Sequence, residues 1–410
     1  MGLARQPSAS CATSPDALPQ RAIIAGAGIA GLTAAIALSQ AGLKVAIYER
    51  ANALDEYGAG LQLTPNATRI LDRLGVLERV LPFASKPRAV VVLRGSDDAE
   101  LMRMPLDAAE RRWGAAYLVV HRADLQRALL DALRGQCSVE LTLGATVLDF
   151  ANSEEGLSVG LTRGVAPIRD EADLLVGADG LRSQVRDRLG YGAPDRAEFA
   201  GHIAYRATVS ANDVNPQRAQ NIILRLGKEA HLVQYPLRSG SVINLVATVS
   251  SAVPTDGADR ETDAAANRSA LERAFKGWSR EARLLTKAPA HWRAWPLYHR
   301  RPISSFSLGR VALIGDAAHP MVPFLAQGAA QGIEDAGQLG RALSQAQNIP
   351  AALAMYSHGR VARATRVQRE ALQVGRIYHL SGPLAFARDA TMRLFGARGL
   401  TERYDWLYGE

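Results

Sequence analysis

The sequence predicts an α/β fold. It comprises a Rossmann-type nucleotide-binding domain built from separated segments, an inserted sheet-rich domain and a helical C-terminal part. Three observations predict it. A strand, glycine-rich turn, helix, strand and acid follow one another from Arg21 to Glu49. Two later apolar runs, Asp173–Asp179 and Val311–Ile314, each end in a glycine–aspartate turn. Between about 196 and 295 the pattern changes to period-two alternation, as in His231–Leu237 and Ser241–Val249, which signals an antiparallel sheet.

Composition sets the outer bounds. A chain of 410 residues is long for one domain, and 48% hydrophobic with 21% charged residues excludes disordered and collagen-like classes. The first 19 residues read as a flexible polar leader without a secretory signal. The apolar run Ala22–Leu38 falls short of the ~20 residues a membrane span requires, and it carries three spaced glycines, so no membrane association is expected. Cys11 and Cys137 build no disulfide framework, and no Cys/His cluster suggests a metal. A reducing, cytoplasmic setting is therefore expected. The net charge is +8, carried mostly by scattered arginines without interleaved aromatics. That pattern argues against nucleic acid and for a field that draws anionic ligands.

In order, Arg21–Ala25 reads as a buried strand, Gly26-Ala-Gly-Ile-Ala-Gly31 as a tight turn, Leu32–Gln40 as a helix and Lys44–Tyr48 as a second strand ending at Glu49. The glycines let backbone N–H groups approach a pyrophosphate, and the helix N-terminus favours its charge. Glu49 stands where an acid takes ribose hydroxyls and repels a 2′-phosphate. The unit alone leaves NAD and FAD open. Beyond it, strands and helices are expected to alternate to about Leu189, with a helix over 183–189. After Gly315-Asp-Ala-Ala-His-Pro320, a further helix runs from Gly328 through Leu339, and helices follow from Ile349. The expected division is 20–86, 112–195 and 296–348 for the nucleotide domain, 87–111 and 196–295 for the inserted domain, and 349–410 for the helical end. On the strand His231–Leu237, His231, Val233 and Tyr235 share one face. They either line a pocket for a planar phenol or simply sit half-buried with a satisfied histidine.

These motifs together resemble the single-component FAD-dependent aromatic hydroxylases. They are Gly26–Gly31, Gly58-Ala-Gly-Leu-Gln-Leu-Thr-Pro-Asn66, His121-Arg-Ala-Asp-Leu125, Gly177-Ala-Asp-Gly180 and Gly315–Pro320, with Asp405-Trp-Leu-Tyr-Gly409 at the end. Tyr117–Leu125 and His231–Leu237 look most like salicylate hydroxylase, 3-hydroxybenzoate 6-hydroxylase and 6-hydroxynicotinate 3-monooxygenase. The resemblance implies bound FAD, with Gly26, Gly28 and Gly31 at its pyrophosphate and Glu49 at its ribose. Arg122 and Asp316 are then expected along the ribityl chain, Gly328 and Ala329 at the flavin edge, and Asp179 near both FAD and the nicotinamide donor. No second GxGxxG exists, so NADH or NADPH is expected to bind transiently.

On the substrate side the resemblance makes His231 a base that turns a phenol into a phenolate, with Tyr235 beside the ring. The oxidant in such enzymes is a flavin C4a-hydroperoxide, which attacks phenolates readily. Gln62, Val233 and Pro323 are expected around the substrate. Gln62 stands where a hydroxynicotinate enzyme has histidine, which favours a benzene ring. The expected reactants are a small phenolic acid, salicylate-like, and dioxygen, with ring hydroxylation or oxidative decarboxylation to a catechol as outcomes. A larger phenol or quinone, or a non-catalytic flavin-binding sensor, are the alternatives; the chain is expected as monomer or homodimer. Gly332, where the family has alanine, costs its helix about 1 kcal/mol without an evident return.

Overall fold

The computed structural model describes residues 20–54, 60–134, 136–153, 156–164, 166–191, 195–252 and 264–409. The expected leader and Cys11, together with Gly58 and Ala59 of one motif, lie outside them. Among the described residues no helix is long and apolar enough to cross a membrane, and no His/Cys/Asp/Glu group could hold a metal.

A six-stranded sheet runs in the order Ser307–Leu308, Val311–Leu313, Leu174–Gly177, Arg21–Ala25, Lys44–Glu49, Val139–Leu143. All its pairings are parallel except the first. Parallel strands are buried on both faces and read as continuous apolar runs, as Ala22–Ala25 and Leu174–Val176 do. The helix Ile29–Gln40 is apolar nearly all round because it lies between this sheet and the helix Gly328–Gln345. The apolar stretch from Ala22 to Leu38 is thus a strand and a helix in one core.

Gly332 has a packing reason. A Cβ there would stand 2.9 Å from the Ala30 Cβ, and one at Gly340 would stand 2.9 Å from the Ala37 Cβ. Two turns of glycine-lined surface let the helices meet backbone to backbone. Gly332→Ala is therefore expected to destabilise the protein, although alanine raises helix propensity by about 1 kcal/mol. Overpacking at such a contact costs about 1–3 kcal/mol, so thermal unfolding of the variant should begin several degrees lower. A higher melting temperature would mean that the two helices separate freely.

The alternation expected up to Leu189 is interrupted. Ala145–Asn152, Leu157–Arg163 and Ala166–Ala172 form an antiparallel meander. The period-two sequence Leu157-Ser-Val-Gly-Leu161 and the left-handed turn at Gly164 account for it.

A second, seven-stranded sheet has the order Arg293–His299, Glu198–Ser210, Val242–Ser250, Ala230–Leu237, Ile222–Gly227, Ala89–Arg94, Glu100–Pro105. Only the pairing of Ile222–Gly227 with Ala89–Arg94 is parallel. One face carries Tyr205, Leu232, Leu245 and Ala247 against the helices Ala264–Ala274 and Arg280–Lys287. The other face packs Ala204, Tyr235, Leu237 and Leu297 against Val119, Val322 and Phe324. The helices Ile349–Tyr378 and Gly382–Tyr408 complete the C-terminal part, and Trp113, Tyr117, Tyr404 and Tyr408 pack together beside that face.

Candidate active site

Between the two sheets lies one continuous cavity of about 520 Å³. It follows the carboxyl ends of the parallel strands, where open α/β sheets bind ligands, and then turns onto the inner face of the seven-stranded sheet.

The first half is a groove of backbone donors. Gly26 takes φ +106° and a Cβ there would lie 2.6 Å from the Ala178 carbonyl oxygen. The turn thus brings the first strand against Ala178 and Asp179. Gly28 ends the turn with open space where its side chain would be. It caps Ile29–Gln40, whose first turn has neither a side-chain cap nor an acid. Glu49 reaches under the turn: its Oε2 accepts from Ala27 N–H at 2.8 Å and its Oε1 from Ala51 N–H at 2.9 Å.

Across the groove, Gly328–Gln345 also begins with no side-chain cap and no acid in its first turn. Before it, Ala326 holds the left-handed φ of +54°, a strained conformation of the kind that clusters at ligand sites. This end is braced. Gln327 Nε2 donates to Thr64 Oγ1 at 2.9 Å, Asn66 Nδ2 donates to Gln327 Oε1 at 3.1 Å, and Asn66 also bonds Glu334. Asp335 fixes the adjoining loop, accepting from Gly315 N–H at 2.7 Å and meeting His319 at 2.6 Å. Burial opposes its ionisation, but His319 and Arg360 overcome that and hold its carboxyl down to about 2.

Asp316 projects from that loop into the groove. Enclosure raises its pKa above the usual carboxylate range, against the opposing pull of His319 and Arg122. Arg122 opens the helix Arg122–Leu133 on the same wall. Asp179 is also raised by burial. Its Oδ2 accepts from Gln184 and Val185 N–H and so fixes the turn into the next helix, while among the described residues Oδ1 is buried without a partner.

The second half is the strand Ala230–Leu237 and its neighbours. His231, Val233 and Tyr235 all line the cavity, while Leu232 enters the opposite core and Gln234 accepts from Arg225 at 2.7 Å. A Cβ at Gly60 would collide with the Tyr235 ring, so this glycine makes room for it. Gln62 lines the cavity with its carbonyl already accepting from Tyr117 Oη at 2.6 Å. Pro323 lines it too, and its neighbour Phe324 turns away onto His231, with ring centroids 5.4 Å apart. His231 Nδ1 is 2.8 Å from His379 Nε2, and His379 Nδ1 is 3.0 Å from His202 Nε2. Burial, then the neighbouring imidazoles, hold the His231 pKa well below that of free imidazole.

A match to the model described as FAD binding domain covers residues 20–371 of this chain. The chain belongs to the FAD-binding monooxygenase family. Along nearly its whole length it is similar to the 3-hydroxybenzoate 6-hydroxylase of Polaromonas naphthalenivorans, at 34% identity over 404 residues covering 97% of each chain. HpxO of Klebsiella pneumoniae complexed with FAD and uric acid superposes with a TM-score of 0.83 at 26% identity, covering 94% of this chain and 95% of that one. A salicylate hydroxylase substrate complex gives 0.80 at 25% identity, covering 96% of each. This is an FAD-dependent aromatic monooxygenase, reduced as its class is by NAD(P)H.

The monooxygenase cavity gathers every residue expected at the site except one. Gly31 does not line it. A Cβ at Gly31 would collide with the Gly26 carbonyl oxygen, so this third glycine serves the close fit of helix and turn. The groove fits FAD: two bare helix N-termini suit an anion and an anionic ring edge, and Asp179 Oδ1 lacks a partner among the described residues.

Sequence reasoning passed over Arg206, Thr248, His202 and His379. Arg206 lines the substrate half with its Nε buried and without a partner among the described residues, and its Cζ is 5.6 Å from the Trp295 ring centroid. Burial, and Arg122 nearby, lower its pKa from the usual arginine value. Thr248 stands opposite His231 in the sheet, its Oγ1 buried without a partner among the described residues. His202 and Arg206 are four apart on a strand whose alternate residues, Ile203, Tyr205, Ala207 and Val209, are apolar. That alternation was the available signal. Nothing in the sequence points to His379.

Proposed function

We propose that this monooxygenase hydroxylates a compact monocyclic phenolic acid. The observation that carries the reading is a base and a cation on one cavity wall: the cavity-lining His231, with Nδ1 engaged by His379 so that Nε2 is its remaining ring nitrogen, and Arg206, with a buried Nε that has no partner among the described residues. Arg206 takes the carboxylate through charge-assisted hydrogen bonds. His231 Nε2 accepts the phenolic proton, leaving a more electron-rich ring. Tyr235 orients the ring, with Gln62, Val233 and Pro323 around it, while Met321 and Leu297 help keep water out.

FAD, when bound, supplies electrons taken from NADH or NADPH and the activation of dioxygen. Gly26, Gly28, Glu49, Arg122, Asp179, Asp316, Gly328 and Ala329 are the residues that would hold it, in the 20–86, 112–195 and 296–348 domain. The 34% identity to a 3-hydroxybenzoate 6-hydroxylase supports trying 3-hydroxybenzoate before salicylate. With salicylate, oxidative decarboxylation to catechol is the corresponding outcome.

A panel of hydroxybenzoates, scored by NADH or NADPH oxidation and product mass, tests the reading. A matched acid should give product nearly stoichiometric with the nicotinamide consumed, and a mismatched one hydrogen peroxide. Arg206→Gln should raise KM for the matched acid by about 30-fold or more, since unpairing a buried charge costs about 2–5 kcal/mol. An unchanged KM would remove Arg206 from the carboxylate site. If no phenolic acid stimulates oxidation, a larger phenol takes the place of the hydroxybenzoate.

A further inference from the structure

We propose that His231, His379 and His202 form a proton relay that carries the phenolic proton from the cavity to the protein surface. The proposal rests on the reading of His231 as the substrate's base. Its observation is an unbroken chain of three imidazoles: His231 Nδ1 to His379 Nε2 at 2.8 Å, His379 Nδ1 to His202 Nε2 at 3.0 Å, and His202 Nδ1 to the Ala200 carbonyl oxygen at 2.7 Å.

The carbonyl sets the direction. It only accepts, so His202 Nδ1 carries the proton and, in the neutral ring, Nε2 accepts. His379 must then donate from Nδ1, which leaves its Nε2 to accept from His231 Nδ1–H. Each ring fixes the tautomer of the next. The array ends with an unprotonated Nε2 on His231, the cavity-lining ring. An isolated neutral histidine has no such constraint; here a carbonyl three bonds away makes His231 an acceptor.

Transfer follows the same chain. The phenolic proton goes to His231 Nε2 as the O–H bond breaks. His231 Nδ1–H passes to His379 Nε2, and His379 Nδ1–H passes to His202 Nε2. The positive charge finishes on His202, which is half-buried, and its Nδ1–H then leaves the Ala200 carbonyl for solvent. After the ring is hydroxylated, a solvent proton re-enters at His202, and the reverse transfers hand the His231 Nε2 proton to the product phenolate, which resets the array. No inner ring is suited to keep the proton: burial holds His231 well below its ordinary range, and burial with His202 and Arg388 pulls His379 down to about 4. The wire therefore conducts the proton rather than storing it.

The surroundings hold the rings in line. Phe324 meets all three edge to face, at 5.4, 5.4 and 6.0 Å, and Gly375 leaves space for its ring. His379 ends the helix Ile349–Tyr378, and Arg388 clamps that end by donating to the Tyr378 carbonyl at 2.8 Å. The Arg388 charge is itself paired with Asp389 at 2.7 Å, and the Tyr378 ring lies 5.5 Å from His231. Among the described residues these, with the three histidines, are the titratable groups placed against the wire.

The test uses FAD-loaded protein and His379→Gln, which keeps hydrogen-bonding groups but cannot pass a proton. Nitrogen-15 spectra of the imidazoles, which need no ligand, should show all three rings protonated at Nδ1 and His231 Nε2 bare. A His231 Nε2–H in the wild type overturns the proposal. Mixing with 3-hydroxybenzoate in dilute buffer with an indicator dye should release a proton in the wild type. In His379→Gln that release should slow by about 10²-fold at unchanged ligand affinity, and added imidazole should restore it. Release at the wild-type rate in the variant overturns the relay and leaves His231 as base. Binding without any proton release in the wild type overturns the base reading, and the relay with it.

Discussion

Gly28→Val should yield a folded protein that holds no flavin. The three glycines of the first turn serve three different purposes, and this variant isolates one of them. At Gly26 the positive φ and the approach to Ala178 forbid a side chain for backbone reasons, and at Gly31 the Gly26 carbonyl oxygen forbids it. Gly28 has ordinary torsions, φ −72° and ψ −179°, and no atom of the described residues within 4 Å of its would-be Cβ. Valine fits that backbone well. Replacing glycine by valine as the helix cap costs about 1 kcal/mol, little against a helix buried on nearly every side. The isopropyl group would stand in the groove, over the bare N–H groups that the pyrophosphate needs. Absorbance near the flavin band should fall to background after exhaustive loading, while circular dichroism stays as in the unloaded wild type. Normal flavin content would sink the assignment of this turn to the cofactor. Gly31→Val, by contrast, should fail to fold.

What the sequence made legible follows from locality. The unit from Arg21 to Glu49 is contiguous, so motif, periodicity and chemistry can be read together, and the parallel sheet is built on it as expected. His231, Val233 and Tyr235 were readable for the same reason, because a strand with period two fixes which side chains share a face. The meander at 145–172 was missed although Leu157–Leu161 alternates, since the expectation of strand–helix alternation overrode the local pattern. Arg206 was hidden among many arginines, and its parity with His202, opposite the apolar Ile203, Tyr205, Ala207 and Val209, was the clue. His379 had none. It reaches His231 across 148 positions of sequence through the end of a 30-residue helix, a contact set by how long that helix is and where it docks. Gly332 looked like a cost because helix propensity is local, while the Ala30 contact that explains it is not.

His231→Ala should retain FAD and slow hydroxylation of the matched acid by about 10²–10⁴-fold, the range for loss of a general base. The ring sits on a strand bonded on both sides, with Leu226 and Thr248 opposite, so the backbone should survive the change. The sign of the pH dependence distinguishes a base from a mere wall. In the wild type the depressed pKa of His231 keeps Nε2 unprotonated through neutral pH, so the acid limb of the rate should lie below the ~6.5 of free imidazole. That limb belongs to the three-ring array rather than to one residue, since protonation of any member redirects the others. In His231→Ala nothing removes the proton, and only substrate already ionised in solution reacts. Its rate should therefore rise with pH toward the pKa of the phenol itself, and the deficit relative to wild type should shrink along the way. A deficit equal at every pH would mean that His231 positions the ring without deprotonating it. Flavin content measured on the same samples separates both outcomes from simple loss of cofactor.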